Sequence, residues 1–176
     1  MRFPFHIDPQ SEDERFMVEA LKEAWKAYRE KEVPIGAVLV HEGEIIARGY
    51  NQVELLRDAT AHAEMLCLTA GSTALDNWRL NGCTLYCTVE PCSMCAGAMF
   101  LSRISCLVWG APDLRHGANG SWTNLFDLDH PIHKVAVRGG VLGDYAAQLM
   151  REFFQQRRKE SEDDRNGNDV GGMGSD

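Results

Sequence analysis

The sequence predicts an α/β layered domain built around a mixed β-sheet of about five strands. Its 176 residues suit one domain, since single domains usually contain about 100–200 residues. Apolar residues recur at helical spacing in some segments and form short strand-like runs in others, in the order helix, hairpin, helix, strand, helix, strand. Because a helix precedes each of the third and fourth strands, we expect these two strands to pair in parallel.

The N-terminal third of the chain begins with a helix and continues with a hairpin. Ser11–Glu14 is a capping-box pattern, and the apolar residues after it recur at helical spacing, which predicts a helix over residues 12–30. Residues 35–40 are apolar and predict a buried strand. The turn residues 41–44 follow, and residues 45–50 predict the return strand of the hairpin.

Helices and strands alternate in the middle of the chain. A polar loop over residues 51–60 leads to a predicted helix at 61–70, which Gly71 is expected to end, because glycine is common just beyond helix C-termini. Residues 83–89 alternate as a strand. Residues 92–101 follow a proline that suits a first helical turn, and they predict the next helix.

The last third of the chain contains one long irregular segment. A strand is predicted at residues 104–109, and Gly, Asn, Asp and His residues are then frequent over residues 111–131. A loop of this length in a compact domain is often functional. A short strand at 135–137 and a helix at about 144–159 complete the predicted domain.

The formal net charge of −8 argues against a simple nucleic-acid-binding protein, but the charge is unevenly distributed. Residues 160–176 contain six acidic residues, four glycines and one basic residue, Arg165, so we expect a disordered tail there. The predicted domain, residues 1–159, keeps a net charge of −3, and its final residues 157–159 are all basic. A local basic strip of this kind can bind RNA in spite of the overall charge.

Composition also bears on the compartment. No part of the sequence approaches the roughly 18 consecutive apolar residues of a membrane span, so we expect a soluble protein. The N-terminus does not resemble a secretory or organellar presequence, which predicts a cytoplasmic location, or the plastid stroma if a presequence has been removed. Without a secretory signal, clustered cysteines indicate metal binding or catalysis rather than disulfides.

Two predicted helix N-termini carry residues that bind metals, His62 with Glu64 on one and Cys92 with Cys95 on the other. Cys92 and Cys95 are three residues apart in a first helical turn, where the sulfurs face one side and the helix dipole favours thiolates. One imidazole and two thiolates form a three-ligand set, typical of catalytic zinc sites with a fourth position open for water. We therefore predict one zinc ion at His62, Cys92 and Cys95.

Glu64 is a poor chelating partner for His62, because positions i and i+2 of a helix point about 200° apart. It is placed instead to take a proton from water, whose pKa zinc lowers towards about 7, and to return it to the substrate. These residues predict hydrolytic deamination at an amidine-like carbon. The alternative for Cys92 and Cys95 is a structural zinc or core packing. The other four cysteines are expected to be small buried apolar residues: Cys67, Cys83, Cys87 and Cys106.

The segments His62-Ala63-Glu64 and Pro91-Cys92-Ser93-Met94-Cys95 resemble the H-x-E and P-C-x-x-C signature of the zinc-dependent nucleobase deaminases. Further stretches, such as Glu32–Val38 and Gly117–Ser121, make residues 13–159 similar to the bacterial and plastid tRNA adenosine deaminases. The resemblance implies a three-layer cytidine-deaminase-like fold. It also implies that the wobble adenosine, position 34, of an arginine tRNA is converted to inosine.

The resemblance further implies roles for single residues. Glu64 would carry the proton, Asn51 would hydrogen-bond the extruded adenine, and Asp113 would contact the target ribose or its neighbour. Residue type and position alone favour an ordinary turn residue at Asn51 over a substrate-binding one. Pro112 and Arg115 stand where related sequences more often have a basic residue and a lysine. The implied partners are a tRNA anticodon stem-loop and a second copy of the chain in a homodimer, with no organic cofactor.

Two other functions stay open at this point. A deaminase of a free base or nucleoside, of the cytosine or guanine type, would share the fold and the metal, but it needs no phosphate contacts. A non-catalytic partner subunit would keep the zinc and lose the proton carrier, and Glu64 argues against it. Phe153 and Phe154 with Arg157 and Arg158 form either a stacking and phosphate platform or part of an amphipathic closing helix with a solvated basic end.

Overall fold

A computed structural model describes residues 2–168, which form one sheet and five helices. The strands are β1 (Gly36–His41), β2 (Glu44–Tyr50), β3 (Thr84–Val89), β4 (Cys106–Ala111) and β5 (Ala136–Arg138). The helices are α1 (Glu12–Arg29), α2 (Val53–Leu56), α3 (Ala63–Ala74), α4 (Ser93–Ser102) and α5 (Gly143–Asn168). All five strands, α1 and α4 lie within two residues of their predicted bounds.

The five strands form a mixed sheet in the order β2-β1-β3-β4-β5. β1 is antiparallel to both β2 and β3, whereas β4 is parallel to β3 and to β5. The predicted α/β class, the mixed sheet of five strands and the parallel pairing of the third and fourth strands are therefore confirmed. The parallel strand ends bring β3 and β4 out at the same edge of the sheet.

The helices cover both faces of the sheet and produce three layers. Side chains alternate along β1, so Leu39 packs with Cys67 of α3, whereas Val38 packs with Met17 of α1. On the face covered by α3, α4 contributes Met99 and other residues to the same core. On the opposite face, α5 packs against α1. The central strands are thus buried on both faces of the sheet, as is usual where helices cover both faces.

Gly71 does not end the third helix, contrary to the prediction. α3 continues through Gly71 to Ala74. A Cβ atom at Gly71 would lie 2.2 Å from Cδ2 of Leu39 in β1, so the missing side chain lets the helix approach the sheet closely. Glycine here serves packing, which outweighs its preference for helix ends.

The predicted polar loop at residues 51–60 contains a short helix, α2. The carboxylate of Glu32 accepts hydrogen bonds from the backbone N–H groups of Glu54 (3.2 Å) and Leu55 (2.7 Å). Glu32 is 1% exposed and lies 22 residues before Glu54 in the sequence. The turn is therefore stabilised by a distant buried acid, for which the local sequence gives no signal.

The final helix extends beyond its predicted end. α5 runs to Asn168, whereas residues 160–176 were expected to be a disordered tail. Residues 160–166 lack glycine and proline, and the contact of Arg157 with Glu160 (3.7 Å) supports the continuing helix. The division of the chain at residue 159 stays a prediction, and residues 169–176 lie outside the described residues. Among residues 2–168, no helix is both long enough and apolar enough to cross a membrane.

Candidate metal centre and substrate cavity

Two helix N-termini meet at the edge of the sheet where β3 and β4 end. His62 is the N-cap residue of α3, Cys92 is the N-cap residue of α4, and Cys95 lies in the first turn of α4. Cys92 follows β3 by only three residues, which places it outside the carboxyl end of a parallel strand. Ligand sites in α/β sheets are usually found at this edge.

The three predicted ligands are brought together. Nδ1 of His62 lies 3.6 Å from Sγ of Cys92 and 3.6 Å from Sγ of Cys95, and all three ligand atoms lie within 4.8 Å of one another. Zn–N bonds of about 2.0–2.1 Å and Zn–S bonds of about 2.3 Å at a tetrahedral angle place nitrogen and sulfur about 3.6 Å apart. The three side chains therefore fit a zinc ion.

The electrostatics of the cluster also suit a cation. Hydrogen bonds from Cys95 and then from His62 lower the pKa of the Cys92 thiol to about 4, against the cost of burial. The hydrogen bond with Cys92, followed by burial, raises the pKa of Cys95. The hydrogen bond to Cys92 also raises the pKa of His62. The lowered pKa favours the thiolate form of Cys92, and a divalent cation would favour deprotonation of its neighbours.

Glu64 lies beside the three ligands in the first turn of α3. Its side chain is buried, with 3% exposed, and burial raises the pKa of its carboxyl group. Among residues 2–168, its Oε2 atom has no hydrogen-bond partner. An unpaired buried carboxylate oxygen is costly unless another molecule satisfies it, so this atom is suited to a water molecule or a substrate.

A cavity of about 1400 Å³ opens over the cluster. Of the six predicted site residues, His62, Glu64, Cys92, Asn51 and Asp113 line the cavity, whereas Cys95 is fully buried behind it. Five parts of the chain supply the other main lining side chains: Glu32, Val53, Glu54, Glu90, Met94, Leu114, Arg115, His116, Trp122, Met150, Arg151, Phe154 and Arg158. This volume exceeds the roughly 300–1000 Å³ of ordinary small-molecule sites.

Asn51 follows β2 directly and is 4% exposed. Its Nδ2 group donates a hydrogen bond of 3.1 Å to the buried Glu32 carboxylate, which therefore fixes the direction of the amide. Asn51 also donates its backbone N–H to the carbonyl of Ile35. The residue is thus held rigidly at the cavity wall, unlike an exposed turn residue. Sequence reasoning missed Glu32 as its support.

Asp113 lies at the rim and is held within its own loop. Its Oδ1 atom accepts the backbone N–H groups of Arg115 (2.9 Å) and His116 (3.2 Å), and Oδ2 lies 3.4 Å from Nδ1 of His116. Its backbone N–H donates to the carboxylate of Glu90 (3.2 Å). Glu90, only 2% exposed, is a second support that sequence reasoning missed. Its position directly before Pro91 and Cys92 was the only available signal.

The suggested platform on the last helix is only partly correct. Phe153 is 6% exposed and packs against Tyr28, with ring centroids 6.0 Å apart. Phe154 is 43% exposed and lines the cavity together with Arg158, whereas Arg157 pairs with Glu160. Of these four residues, Phe154 and Arg158 therefore line the cavity. Phe153 and Arg157 lie on other sides of the helix.

The remaining cysteines do not take part in the metal centre. All four are buried and free, as expected for small apolar residues: Cys67, Cys83, Cys87 and Cys106. In the described part of the chain, the cluster of potential metal ligands consists of His62, Cys92 and Cys95 alone. Within residues 2–168, these four cysteines therefore do not form a structural zinc site with Cys92 and Cys95.

Comparison with known proteins agrees with this geometry. Residues 10–111 match the model of the cytidine and deoxycytidylate deaminase zinc-binding region. The tRNA-specific adenosine deaminase of Bacillus subtilis (strain 168) is 48% identical over 149 residues, which cover 85% of this chain and 92% of that protein. The chloroplastic tRNA(adenine(34)) deaminase of Arabidopsis thaliana is 55% identical over 161 residues, but the chain spans only 12% of its length.

A solved structure gives the same result. It comes from work on A-to-I editing by tRNA:A34 deaminases at the wobble position of transfer RNA, and it is 42% identical to this chain. The superposition has a TM-score of 0.74 and covers 77% of this chain and 98% of the other. The three-layer fold, the matched zinc-binding region and these relatives all indicate the same family. The chain therefore belongs to the cytidine and deoxycytidylate deaminase family and, within it, to the tRNA-specific adenosine deaminases.

Proposed function

We propose that the protein is a zinc-dependent hydrolase that converts the wobble adenosine, position 34, of an arginine tRNA to inosine and releases ammonia. One observation carries the proposal: the unpaired, buried Oε2 atom of Glu64 lies beside a His-Cys-Cys cluster in a cavity too large for a single free base. The arginine tRNA follows from the family resemblance. The chemistry follows from the residues.

His62, Cys92 and Cys95 are the proposed zinc ligands. The match of their spacing to zinc-ligand bond lengths and the low pKa of the Cys92 thiol, about 4, support this assignment. Zinc bound there supplies a Lewis acid that makes water a nucleophile near neutral pH. The N-termini of α3 and α4 hold the three ligands in place before any substrate arrives.

Glu64 is the proposed proton carrier. It accepts a proton from the attacking water as the new oxygen–carbon bond forms at C6 of adenine, and it delivers that proton to the neighbouring ring nitrogen. Transfer of the second proton of water to the amino group then allows the C6–N bond to break and ammonia to leave. Burial raises the pKa of the Glu64 carboxyl, which brings it closer to the range in which it can both accept and donate.

Asn51 and Asp113 are the proposed substrate-binding residues. Glu32 occupies the Nδ2 group of Asn51, so the rest of the amide is offered to a base inserted from the cavity. Both backbone N–H bonds of the loop fall on Oδ1 of Asp113, whereas Oδ2 lies 3.4 Å from the exposed imidazole of His116, so a contact with the target ribose, or with a neighbouring nucleotide, is assigned to Oδ2. The target adenosine must leave its stack, since the cluster lies inside the cavity.

The partner we propose is the anticodon stem-loop of a tRNA rather than a free base. Arg115, Arg151 and Arg158 line the cavity and supply cations for phosphates, and the exposed ring of Phe154 offers a stacking surface. A free base buried at Glu64 would leave this outer part of the cavity unused. The surroundings therefore support an RNA substrate over the free nucleobase alternative.

We further propose a homodimer with RNA across the subunit boundary. Exposed apolar side chains support it, with Trp78 53%, Leu101 66% and Ile132 61% exposed around one shallow groove that α3 and α4 also line. An exposed apolar patch of this kind usually marks an interface. Sedimentation equilibrium would show twice the chain mass, and a strict monomer at assay concentration would exclude the dimer.

The proposed location is the cytoplasm, or a plastid stroma if the chain carries a presequence in the cell. The six free cysteines support a reducing compartment, because disulfides form mainly in oxidising ones. Fractionation of cells that express the protein, followed by detection with an antibody, tests the location. Recovery in the secreted fraction would contradict it.

A direct assay tests the activity. The zinc-loaded protein is incubated with an arginine anticodon stem-loop carrying adenosine at position 34, and separately with free adenosine, cytosine and guanine. We expect inosine in the RNA and no change in the free compounds. Consumption of a free base without inosine in the RNA would establish the alternative deaminase, and no reaction at all would indicate a non-catalytic subunit.

A further inference from the structure

The loop that follows β4 is folded around a single buried carboxylate. Oε1 of Glu90 accepts the backbone N–H groups of Asn119 (2.7 Å) and Ser121 (3.2 Å). Oε2 accepts the backbone N–H of Asp113 (3.2 Å) and the hydroxyl of Ser121. Four donors from residues 113–121 thus converge on one side chain, which is 2% exposed. This acid orders a segment that has little regular secondary structure.

The same loop is fastened to the segment that carries the metal ligands. The backbone N–H of Ala118 donates to the carbonyl of Pro91 (2.8 Å), and Gly117 forms an isolated β-bridge with Cys92. A Cβ atom at Gly117 would lie 2.4 Å from Cδ of Glu90, so only glycine allows the loop to wrap this tightly. The loop therefore has a fixed position relative to the proposed zinc site.

Trp122 lies at the end of this ordered loop and faces outward. Its indole is 64% exposed and lines the same cavity as His62 and Glu64. Its backbone is held, since the N–H of Trp122 donates to the carbonyl of Gly117 (3.0 Å). An exposed tryptophan on a rigid support loses little entropy on binding and offers a large aromatic face.

The surroundings indicate what this face binds. Arg115 precedes Trp122 in the same loop, and Arg151 and Arg158 of α5 line the same cavity. An aromatic face beside cationic side chains is the usual arrangement for single-stranded nucleic acid, in which bases stack on the ring and phosphates meet the cations. The target base itself is expected deeper, at Glu64, so Trp122 is left for another nucleotide.

We propose that Trp122 stacks on the base of a nucleotide next to the target adenosine, and that Glu90 is the positioning residue that holds Trp122 there. This inference rests on the proposed RNA deaminase activity. Trp122 then contributes to substrate binding without touching the reacting atoms. Glu90 acts through the loop and not on the substrate.

Steady-state kinetics on the stem-loop tests the contact. Trp122→Ala is expected to raise KM by about 10- to 100-fold with kcat nearly unchanged, because stacking on an aromatic side chain typically strengthens binding by about that factor per base. Trp122→Phe should keep most of the affinity. Leu128→Ala is the matched control, since Leu128 is equally exposed (61%) but does not line the cavity. An unchanged KM for Trp122→Ala overturns the inference.

Abasic substrates identify the stacked nucleotide. Stem-loops that lack the base on the 5′ side or on the 3′ side of the target are assayed with the natural protein and with Trp122→Ala. For one of these positions, the penalty of Trp122→Ala should fall below about twofold, since its partner is already missing. A full penalty on both abasic substrates would show that Trp122 does not stack on a neighbouring base.

Glu90 is tested through its coupling to Trp122. Glu90→Gln should raise KM, keep the bound zinc, and reduce the penalty of Trp122→Ala when both changes are combined. Ser121→Ala, which removes a hydroxyl bonded to Glu90, should give a smaller change in the same direction and serves if Glu90→Gln folds poorly. If Trp122→Ala raises KM by the same factor in the natural protein, in Glu90→Gln and in Ser121→Ala, the positioning role is contradicted.

The assay separates the two levels of the proposal. If the natural protein produces no inosine in the stem-loop, the proposed function fails, and the inference fails with it. If inosine forms but the Trp122 and Leu128 variants share the KM of the natural protein, the deaminase stands and only the stacking contact is wrong.

Discussion

The metal centre and the loop at residues 113–122 lie against the same end of β3, yet they are built in opposite ways. The metal centre consists of two pairs of side chains, His62 with Glu64 and Cys92 with Cys95, and each pair lies within one helix N-terminus. The fold brings the two pairs together across 30 residues of chain. The loop is held by backbone N–H groups that converge on Glu90, which is more than 20 residues away. Each half of the metal centre is thus marked by a short local motif, whereas the loop depends on a distant acid that no local motif marks.

The two regions also differ in what a substitution should change. A change at the metal centre removes a ligand or a proton carrier, and it should act on zinc content or on kcat. A change in the loop alters the shape and position of a binding surface, and it should act on KM. A loop variant that loses zinc, or a metal-centre variant that changes KM alone, would contradict this division.

Glu64→Ala is expected to have the largest effect. Turnover should fall by at least about 10²–10⁴-fold, the usual contribution of a positioned proton carrier, while zinc content stays near one ion per chain. Glu64→Gln is the matched control, since it keeps the volume of the buried side chain and should be as inactive. Inosine formation is measured in single turnover, and zinc by atomic absorption. An undiminished rate in either variant would disprove the mechanism.

Cys92→Ser should lose both the metal and stability. A hydroxyl is a far weaker zinc ligand than a thiolate, and the free energy of metal binding contributes to folding in such sites. We expect zinc content near zero and a lower Tm. Cys106→Ser is the control, because Cys106 is a buried thiol outside the cluster, and it should keep its zinc. Retained zinc in Cys92→Ser would exclude Cys92 as a ligand.

Gly117→Ala tests the loop without touching the metal ligands. The added Cβ would lie 2.4 Å from Glu90 and 2.6 Å from the carbonyl of Asp113, so we expect a loss of about 1–3 kcal/mol in unfolding free energy. KM for the stem-loop should rise about tenfold, whereas zinc content should not change. Gly97→Ala is the matched control, since nothing lies within 4 Å of its Cβ. Loss of zinc in Gly117→Ala would mean that the two regions are not separable.

Asp13→Asn measures the effect of general destabilisation at a residue that belongs to neither region. Asp13 accepts hydrogen bonds from Nε of Arg138 (2.7 Å) and from the Tyr86 hydroxyl (2.9 Å), and the bond with Arg138 lowers the pKa of its carboxyl. The contribution is complete above the ordinary pKa of 3.8 and is lost as pH falls through the lower folded value.

At neutral pH, Asp13→Asn should therefore cost about 1 kcal/mol of unfolding free energy, because the pair is partly exposed. Urea unfolding at several pH values should show the difference between the two proteins shrinking below about pH 4. KM for the stem-loop should not change. A raised KM here would mean that the loop variants report lost stability rather than lost contacts.

Sequence patterns were sufficient for the elements whose signals are local. The capping motif at Ser11, the alternation in β3 and the two ligand motifs each depend on neighbouring residues, and the structure agrees with the predicted elements and brings the ligands together. The helix end predicted at Gly71 was wrong because this glycine is required by a distant residue. A side chain at position 71 would collide with Leu39, 32 positions earlier in the chain. The same residue type ends helices elsewhere, so composition could not separate the two uses.

Glu32 and Glu90 show a second limit of the sequence. Each is a buried acid whose partners are mostly backbone N–H groups, and every non-proline residue offers the same donor. No pattern of residue types therefore marks the pairing. Acidic residues are also common on surfaces, so their burial becomes visible only once the sheet and the loops are assembled.

The smallest expected effect comes from deleting residues 161–176. This segment has five acidic residues against one basic residue, Arg165, and it begins three residues after Arg158, which lines the cavity. Its removal takes net negative charge away from the neighbourhood of a surface proposed to bind phosphates. We expect kcat to stay the same, and KM for the stem-loop to stay the same or fall a few-fold at low salt. The gain should vanish as salt screens the charges, because the Debye length falls to about 3 Å at 1 M. Titration of KM against salt measures it, and a large loss of activity would show that this segment helps to build the substrate surface.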